Sequence, residues 1–424
     1  MKRALGRDFG WLWAAYAVSA MGTWLAFNAF PMIAVLELHA GPSEVAALAA
    51  VGPAVGALLA VPLGPWVEFR RKRPVMITAD LVRCAAMLSV PAAYALGALG
   101  LGQLLLVSMI VAAADISFTA ASGALLKSLL PREDLLVANG RFESTTWTAT
   151  MLGPALGGAS IALLGPVAMI TADAASYLLS ALGLRAIRAR EPNPDPAKTV
   201  ADGRGPRLTA GDLVVGWRHL LSHRALRPLF LNTALVNGLI MAGAPLLAVL
   251  MLGPLHLAPW QFTLAFAVPC TGGLIGSRLA PPLVARYGRR RVLLTSGTLR
   301  VCWPLGLAFV GPGAGGMVLV MVVEFGLITC IGVYNPVLAT TRLELTPTDR
   351  VARTLSAWSV GTKATTAVLT ALWGVLASFT SARIALAAAG VALLATPLLL
   401  ATGRQAEASV TGETPVPEGR RERS

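Results

Sequence analysis

The chain has 424 residues, 55% of them hydrophobic and 13% charged, with 42 glycines and 28 prolines. A water-soluble domain has no place to hide so apolar a composition, whereas glycine and proline are common in helices surrounded by lipid. The formal net charge of +14 would suggest nucleic acid in a soluble protein, but its placement along this chain follows membrane orientation, so the expected partner is the lipid bilayer and not nucleic acid.

A span needs about 20 apolar residues, and roughly twelve such spans fit between Phe9 and Ala401. The runs are continuous and rich in Leu, Ala and Gly, without the alternation of a lipid-facing strand. The expected fold class is therefore an all-α integral membrane protein, with twelve transmembrane helices in two pseudo-symmetric six-helix bundles. The expected organisation is an N-terminal bundle over 1–187, a linker with an amphipathic helix over 188–226, a C-terminal bundle over 227–403 and a disordered tail over 404–424.

The basic tail (Lys2, Arg3, Arg7) leads into a first apolar run long enough to span, without the cleavage pattern of a signal peptide. Trp24, Phe27 and Asn28 fall within it, while Trp11 and Trp13 suit an interfacial belt. The hairpin Leu63-Gly-Pro-Trp-Val-Glu-Phe-Arg-Arg-Lys-Arg-Pro74 closes the second span, and Asp80 and Arg83 lie three apart on one face of the third. Asp115 falls in the fourth span, and Trp147 and Gly153-Pro-Ala-Leu-Gly-Gly158 in the fifth. Asp173 lies in the sixth, with Ser176 and Tyr177 as nearby partners. Between Arg185 and Arg227 the apolar runs stop. A Pro- and Gly-bearing connector there gives way to a helical pattern with a basic face around Trp217, His219 and His223, suited to the membrane surface. The two histidines could hold a metal by spacing alone, but without a carboxylate or cysteine beside them an interfacial face is the better reading.

The second half repeats the first. Leu279-Ala-Pro-Pro-Leu-Val-Ala-Arg-Tyr-Gly-Arg-Arg-Arg291 matches the earlier hairpin, and Arg300 follows it as Arg83 follows the first, so one membrane bundle appears twice, which points to a transporter. With the N-terminus inside, all of the 35 lysines and arginines fall on one side except Arg83, Arg300 and Lys363 within spans and Arg383 opposite. This is the positive-inside pattern of an inner-membrane protein with both termini cytoplasmic. The four cysteines lie in apolar runs without CxxC spacing and read as free thiols.

The first hairpin resembles the loop between helices two and three of the major facilitator superfamily, with Gly64, Glu68, Arg70, Arg71, Lys72 and Arg73 in the places of its glycine, acid and basic cluster. The second copy keeps Arg286, Gly288 and Arg289 to Arg291 but has no acid. Gly153, Pro154, Gly157 and Gly158 resemble an element associated with exporters of that superfamily. Asp80-Leu-Val-Arg83 and Asp173-Ala-Ala-Ser-Tyr177 are similar to its small-molecule efflux branch, which contains the enterobactin exporter. The resemblance implies twelve helices, secondary transport, efflux of a drug, siderophore or secondary metabolite, no cofactor and a monomer.

From the residues, Glu68 with Arg70, Arg71, Arg73, Asp80 and Arg83 forms a candidate gate at the basic end. The glycines of the fifth span would allow close packing against a helix of the other half. Charges inside spans cost about 2.5–3.5 kcal/mol each at mid-depth and need partners or a wet cavity. Asp115 and Glu324 have no basic neighbour within a turn, so they are candidates for proton exchange or, alternatively, permanently paired structural acids. Lys363 is the counter-ion of one of them or the anchor of an anionic substrate, and Asp173 is a further candidate or a brace of its half. Trp24, Phe27, Asn28, Trp147, Asn232, Asn237, Tyr334, Asn335 and Trp358 could line a cavity for a bulky amphipathic molecule, or could be ordinary packing. The function expected is proton-coupled antiport of such a molecule by alternating access, with import by the same fold, or a receptor or scaffold, as alternatives. No Ser/His/Asp set, metal cluster or phosphate loop supports an enzyme.

Overall fold

A computed structural model describes residues 5–27, 29–39, 48, 63, 66–67, 70–189, 210–252, 254–255 and 264–400. Asn28, Gly64, Glu68, most of the second span, the connector over 190–209 and the tail from 401 lie outside the described residues.

The described chain is a helical bundle. Helices α1 (Arg7–Leu25) and α2 (Ala29–Leu36) form the first span; α3 (Lys72–Ala95), α4 (Leu101–Leu129), α5 (Leu135–Leu164) and α6 (Pro166–Arg185) complete the described part of the first half. Helix α7 (Ala210–Ser222) precedes the second half, formed by α8 (Leu226–Leu252), α9 (Cys270–Tyr287), α10 (Arg289–Cys302), α11 (Gly313–Leu345), α12 (Val351–Phe379) and α13 (Ala382–Ala395). Ten segments among the described residues are long and apolar enough to cross a membrane. With α9 as the eighth span and the second span outside the described residues, the twelve-helix arrangement follows. Pro91, Pro154, Pro245 and Pro336 stand inside helices, where packed neighbours can re-satisfy the freed backbone.

The basic hairpins close the turns. At the second, Gly288 adopts φ 81, ψ 148 between α9 and α10, a backbone region open essentially to glycine alone that costs other residues about 1–3 kcal/mol. Helix α7 rests on the second half: Trp217 meets Phe230 edge-on at 6.1 Å, and Leu220 is fully buried.

The apolar core reveals how the halves meet. At the basic end, Ala120, Ala121, Ala124 and Leu125 of α4 share one cluster with Leu343 of α11 and Val351, Ala352 and Leu355 of α12. At the opposite end the clusters separate by half: Ala26, Met87, Val107 and Ile161 belong to one, and Leu247, Val310, Val323 and Leu386 to another. Every buried residue of α12 lies between Val351 and Gly361; the rest of that helix, toward the opposite end, has none.

Candidate translocation pathway

The third span carries its ion pair because Asp80 and Arg83 are one turn apart on a face turned into the bundle. The Arg83 guanidinium donates to Asp80 Oδ1, and both side chains are almost wholly buried, at 5% and 0% exposure. Its other amino group lies 3.5 Å from Asp115 Oδ1 on α4. The guanidinium lies over the rings of Phe118, at 4.7 Å, and Tyr177, at 4.4 Å. Two carboxylates and two π faces thus compensate one buried cation. Asp115 is half open, its side chain 55% exposed, so it pairs with Arg83 while remaining accessible. No sequence neighbour could have announced that partner, which arrives from a different helix.

Asp173 stands one layer further along α6. Its carboxylate accepts from Ser176 Oγ at 3.2 Å, and the Tyr177 hydroxyl shares a hydrogen bond of 2.9 Å with Thr23 on α1. A side chain at Gly22 would collide with Ser176 and Asp173. Asp173 is therefore woven into the α1–α6 contact.

The second half keeps the arginine but drops the acids. Arg300 is 1% exposed and lies 3.7 Å above the ring of Tyr334, as Arg83 lies over Phe118, and it donates to Asn232 Oδ1 at 2.6 Å. Gly297 occupies the place of Asp80, and a Cβ there would press on Tyr334 and Leu400 at 3.0 Å. Asn232 in turn donates to the Thr396 carbonyl at 2.9 Å. No carboxylate lies within ion-pair distance of Arg300 among the described residues. Tyr334, fully buried, serves as its platform.

The halves are joined through α5. Asn139 Nδ2 donates to Thr340 Oγ1 of α11 at 3.0 Å, and the Ser144 and Ser277 hydroxyls share a bond of 2.6 Å. Glu143 Oε1 accepts from Asn335 Nδ2 of α11 at 2.8 Å and from Trp147 Nε1, one turn along its own helix, at 2.9 Å. Lys127 donates to the Thr346 carbonyl at the end of α11. Helices α5 and α9 touch because glycine permits it: a Cβ on Gly273 would fall 2.3 Å from the Trp147 ring, and one on Gly140 would fall 3.2 Å from the Ser277 carbonyl. All these bonds lie on the basic side of the bundle, and no hydrogen bond joins the halves on the other side among the described residues. Sequence reasoning missed Glu143 by placing the stretch up to Arg141 at the membrane surface. The available signal was Trp147 four residues on, a donor on the same helical face.

The other expected residues disperse. Glu324 is buried at 9% exposure and makes no hydrogen bond or ion pair among the described residues. Lys363 is exposed on α12 and pairs with neither Asp115 nor Glu324. Trp24 stacks on Phe27 at 5.2 Å, and Phe27 is 59% exposed. Trp147, Asn237 and Asn335 are half-buried. Trp358 is buried against Phe230 at 5.3 Å with the Arg342 guanidinium over it, inside the second half.

In the export element one expectation needs correction. Cβ atoms on Gly153 and Gly157 would strike Trp24 at 2.4 Å and the Leu25 carbonyl at 2.1 Å, so the face of the fifth span that carries these two glycines packs on α1 of its own half and not on the other half; Gly158 faces open space. Glycines four apart share one helical face, and α1 is what that face meets. At the first hairpin, Arg73 donates to the Arg185 carbonyl at 2.6 Å, Arg70 lies over Trp66, and Arg71 precedes the first residue of α3. The second hairpin lacks an acid of its own, yet Arg289 forms an ion pair with Glu344 from the end of α11. His219 and His223 contact edge-on, and His223 Nδ1 accepts from the Ala225 and Leu226 amides; no group of metal-ligating side chains occurs among the described residues. Cys84, Cys270, Cys302 and Cys330 are free thiols.

Comparison with known proteins agrees with this architecture. The chain is 28% identical over 335 residues to the multidrug efflux pump Tap of Mycobacterium tuberculosis, covering 77% of each chain. It is 26% identical over 286 residues to the uncharacterized MFS-type transporter YvqJ of Bacillus subtilis, covering 66% of each. Among solved structures it is similar to a bacterial homologue of the iron transporter ferroportin in an outward-facing state, with a TM-score of 0.79 at 17% identity over 94% of this chain and 100% of that one. It is also similar to the human organic anion transporter MFSD10, with a TM-score of 0.70 at 13% identity over the same shares. The model of the Major Facilitator Superfamily matches residues 12–341, and the chain is a multi-pass membrane transporter belonging to that superfamily.

Proposed function

We propose that this transporter exports a bulky amphipathic organic molecule from the cytoplasm in exchange for protons, by alternating access. The observation that carries the reading is the one-sided closure: bonds and core join the two halves at the basic end, while at the other end each half keeps a core of its own. Such a bundle is poised to rock between two states. In this reading the basic end is the cytoplasmic one, both termini are cytoplasmic and the protein sits in the cytoplasmic membrane; the excess of lysine and arginine at that end supports this.

Likeness to a multidrug efflux pump supports the direction. Trp24, Phe27, Trp147, Asn237 and Asn335 offer aromatic and amide surface for an amphipathic cargo. Asp115, half open beside Arg83, and Glu324, without a partner among the described residues, are the carboxylates that carry the coupling proton, while Asp173 braces the first half. Glu68, Arg70, Arg71 and Arg73, together with the Asp80–Arg83 pair, regulate closure of the cytoplasmic end. The molecule works as a monomer.

The test is transport by everted vesicles containing the protein, offered a panel of amphipathic fluorescent drugs. An acid lumen should drive drug accumulation that collapses when the gradient is dissipated, and Glu324→Gln and Asp115→Asn should lose the gradient dependence. Accumulation indifferent to the gradient would remove proton coupling, and drug leaving the lumen together with protons would make the protein an importer.

A further inference from the structure

Among the described residues, Glu143 is the carboxylate that bonds across the halves inside a span. One oxygen, Oε1, accepts both from Asn335 of the second half and from Trp147. All three side chains are half-buried and none is sealed wholly inside the bundle. Tyr16 of α1, its hydroxyl bonded to Thr146 at 2.7 Å, is a titratable side chain on which the charges of Glu143 and Asp115 both act. From α11 and α9 the facing groups are neutral: Asn335, Thr340, Ser277 and Gly273. The Arg83 guanidinium, engaged by Asp80 and Asp115, is not among the groups acting on it.

We propose that Glu143 is a proton-binding site whose occupancy decides whether the basic end stays shut. This rests on the proton-coupled reading above. An ionised carboxylate makes charge-assisted hydrogen bonds, roughly twice as strong as neutral ones. When a proton from the open chamber adds to Glu143, the charge disappears and one oxygen becomes a donor. Asn335 and Trp147, both donors through nitrogen, then face a weaker acceptor. The closed basic end loses stability relative to the open one, and the proton leaves to the cytoplasm once α5 and α11 separate. The proton is thus taken up in the state in which cargo has already departed outward, which is the order that exchange requires.

The experiment is hydrogen–deuterium exchange on the full chain in nanodiscs, following residues 139–147 and 273–281 from alkaline to mildly acidic pH after correction for intrinsic rates. Wild type should lose about tenfold in protection on acidification, the difference between a charge-assisted and a neutral hydrogen bond. Glu143→Gln, a mimic of the protonated form, should show the low protection at every pH. Asn335→Ala, which removes the donor and leaves the acid, should abolish the pH response as well and stands in if the Gln variant does not fold. A wild-type pH response retained in either variant overturns the proposal. Flux separates it from the reading on which it rests: pH-responsive exchange with gradient-indifferent transport would sink the coupling and leave the clasp, whereas gradient-driven transport with exchange insensitive to Glu143→Gln would do the reverse.

Discussion

Replacing Gly273 by alanine should open the basic end without unfolding the protein. The added Cβ would lie 2.3 Å from Cδ2 of Trp147 and 2.5 Å from Cε2, far inside van der Waals contact, and a ring wedged between two helices has little room to yield. Overpacking of this kind costs about 1–3 kcal/mol. Gly273 belongs to the second half and Trp147 to the first, so the strain exists only while the halves touch and falls on the closed state alone. A shift of about 1–3 kcal/mol corresponds to about 5–150-fold in the conformer ratio. Gly157→Ala is the contrast. Its Cβ meets the Leu25 carbonyl at 2.1 Å within one half, so its strain persists in both conformers and should lower the melting temperature instead. Gly158→Ala, with nothing within 4 Å, should do neither. Deuterium uptake over residues 139–147 reports the closed contact, and thermal unfolding in detergent reports the halves. The reasoning fails if Gly273→Ala leaves uptake at the wild-type level, or if it lowers the melting temperature as much as Gly157→Ala while uptake does not rise.

Three further outcomes follow from the same geometry. Arg83→Met strands the fully buried Asp80 and should cost about 3–5 kcal/mol, as broken buried pairs do. Arg300→Met leaves only a neutral amide acceptor on Asn232 and should cost about 1–3 kcal/mol; equal losses in thermal unfolding would contradict the asymmetry. Burial holds His223, which lies outside the spans, below the ordinary histidine value, so the folded state takes up the proton less readily than the unfolded one. Its contribution is complete above the unfolded pKa and is lost as the pH falls below it, because the protonated ring can no longer accept from Ala225 and Leu226. Exchange of those two amides should therefore accelerate on acidification in wild type and not in His223→Gln. Finally, Gly288→Ala forces alanine to φ 81, ψ 148, a region open essentially to glycine alone, and should cost about 1–3 kcal/mol, read as a lowered melting temperature that Gly288→Asn does not restore.

The number and order of the spans, the doubled bundle and the superfamily are all legible along the chain. In lipid each backbone group must bond within its own segment, so hydropathy alone marks a helix, and one face of one helix suffices to pair Asp80 with Arg83. The contacts that make a transporter of this bundle obey no local rule. That Arg83 holds Asp115, that Arg300 rests on Tyr334 with no acid among the described residues, that Gly153 and Gly157 of α5 face α1, and that Glu143 reaches Asn335 each depend on how separate helices rotate and approach. That rotation is set by the shapes of side chains far apart in the chain, since apolar surface gives little preference for protein over lipid, and only the assembled bundle decides it.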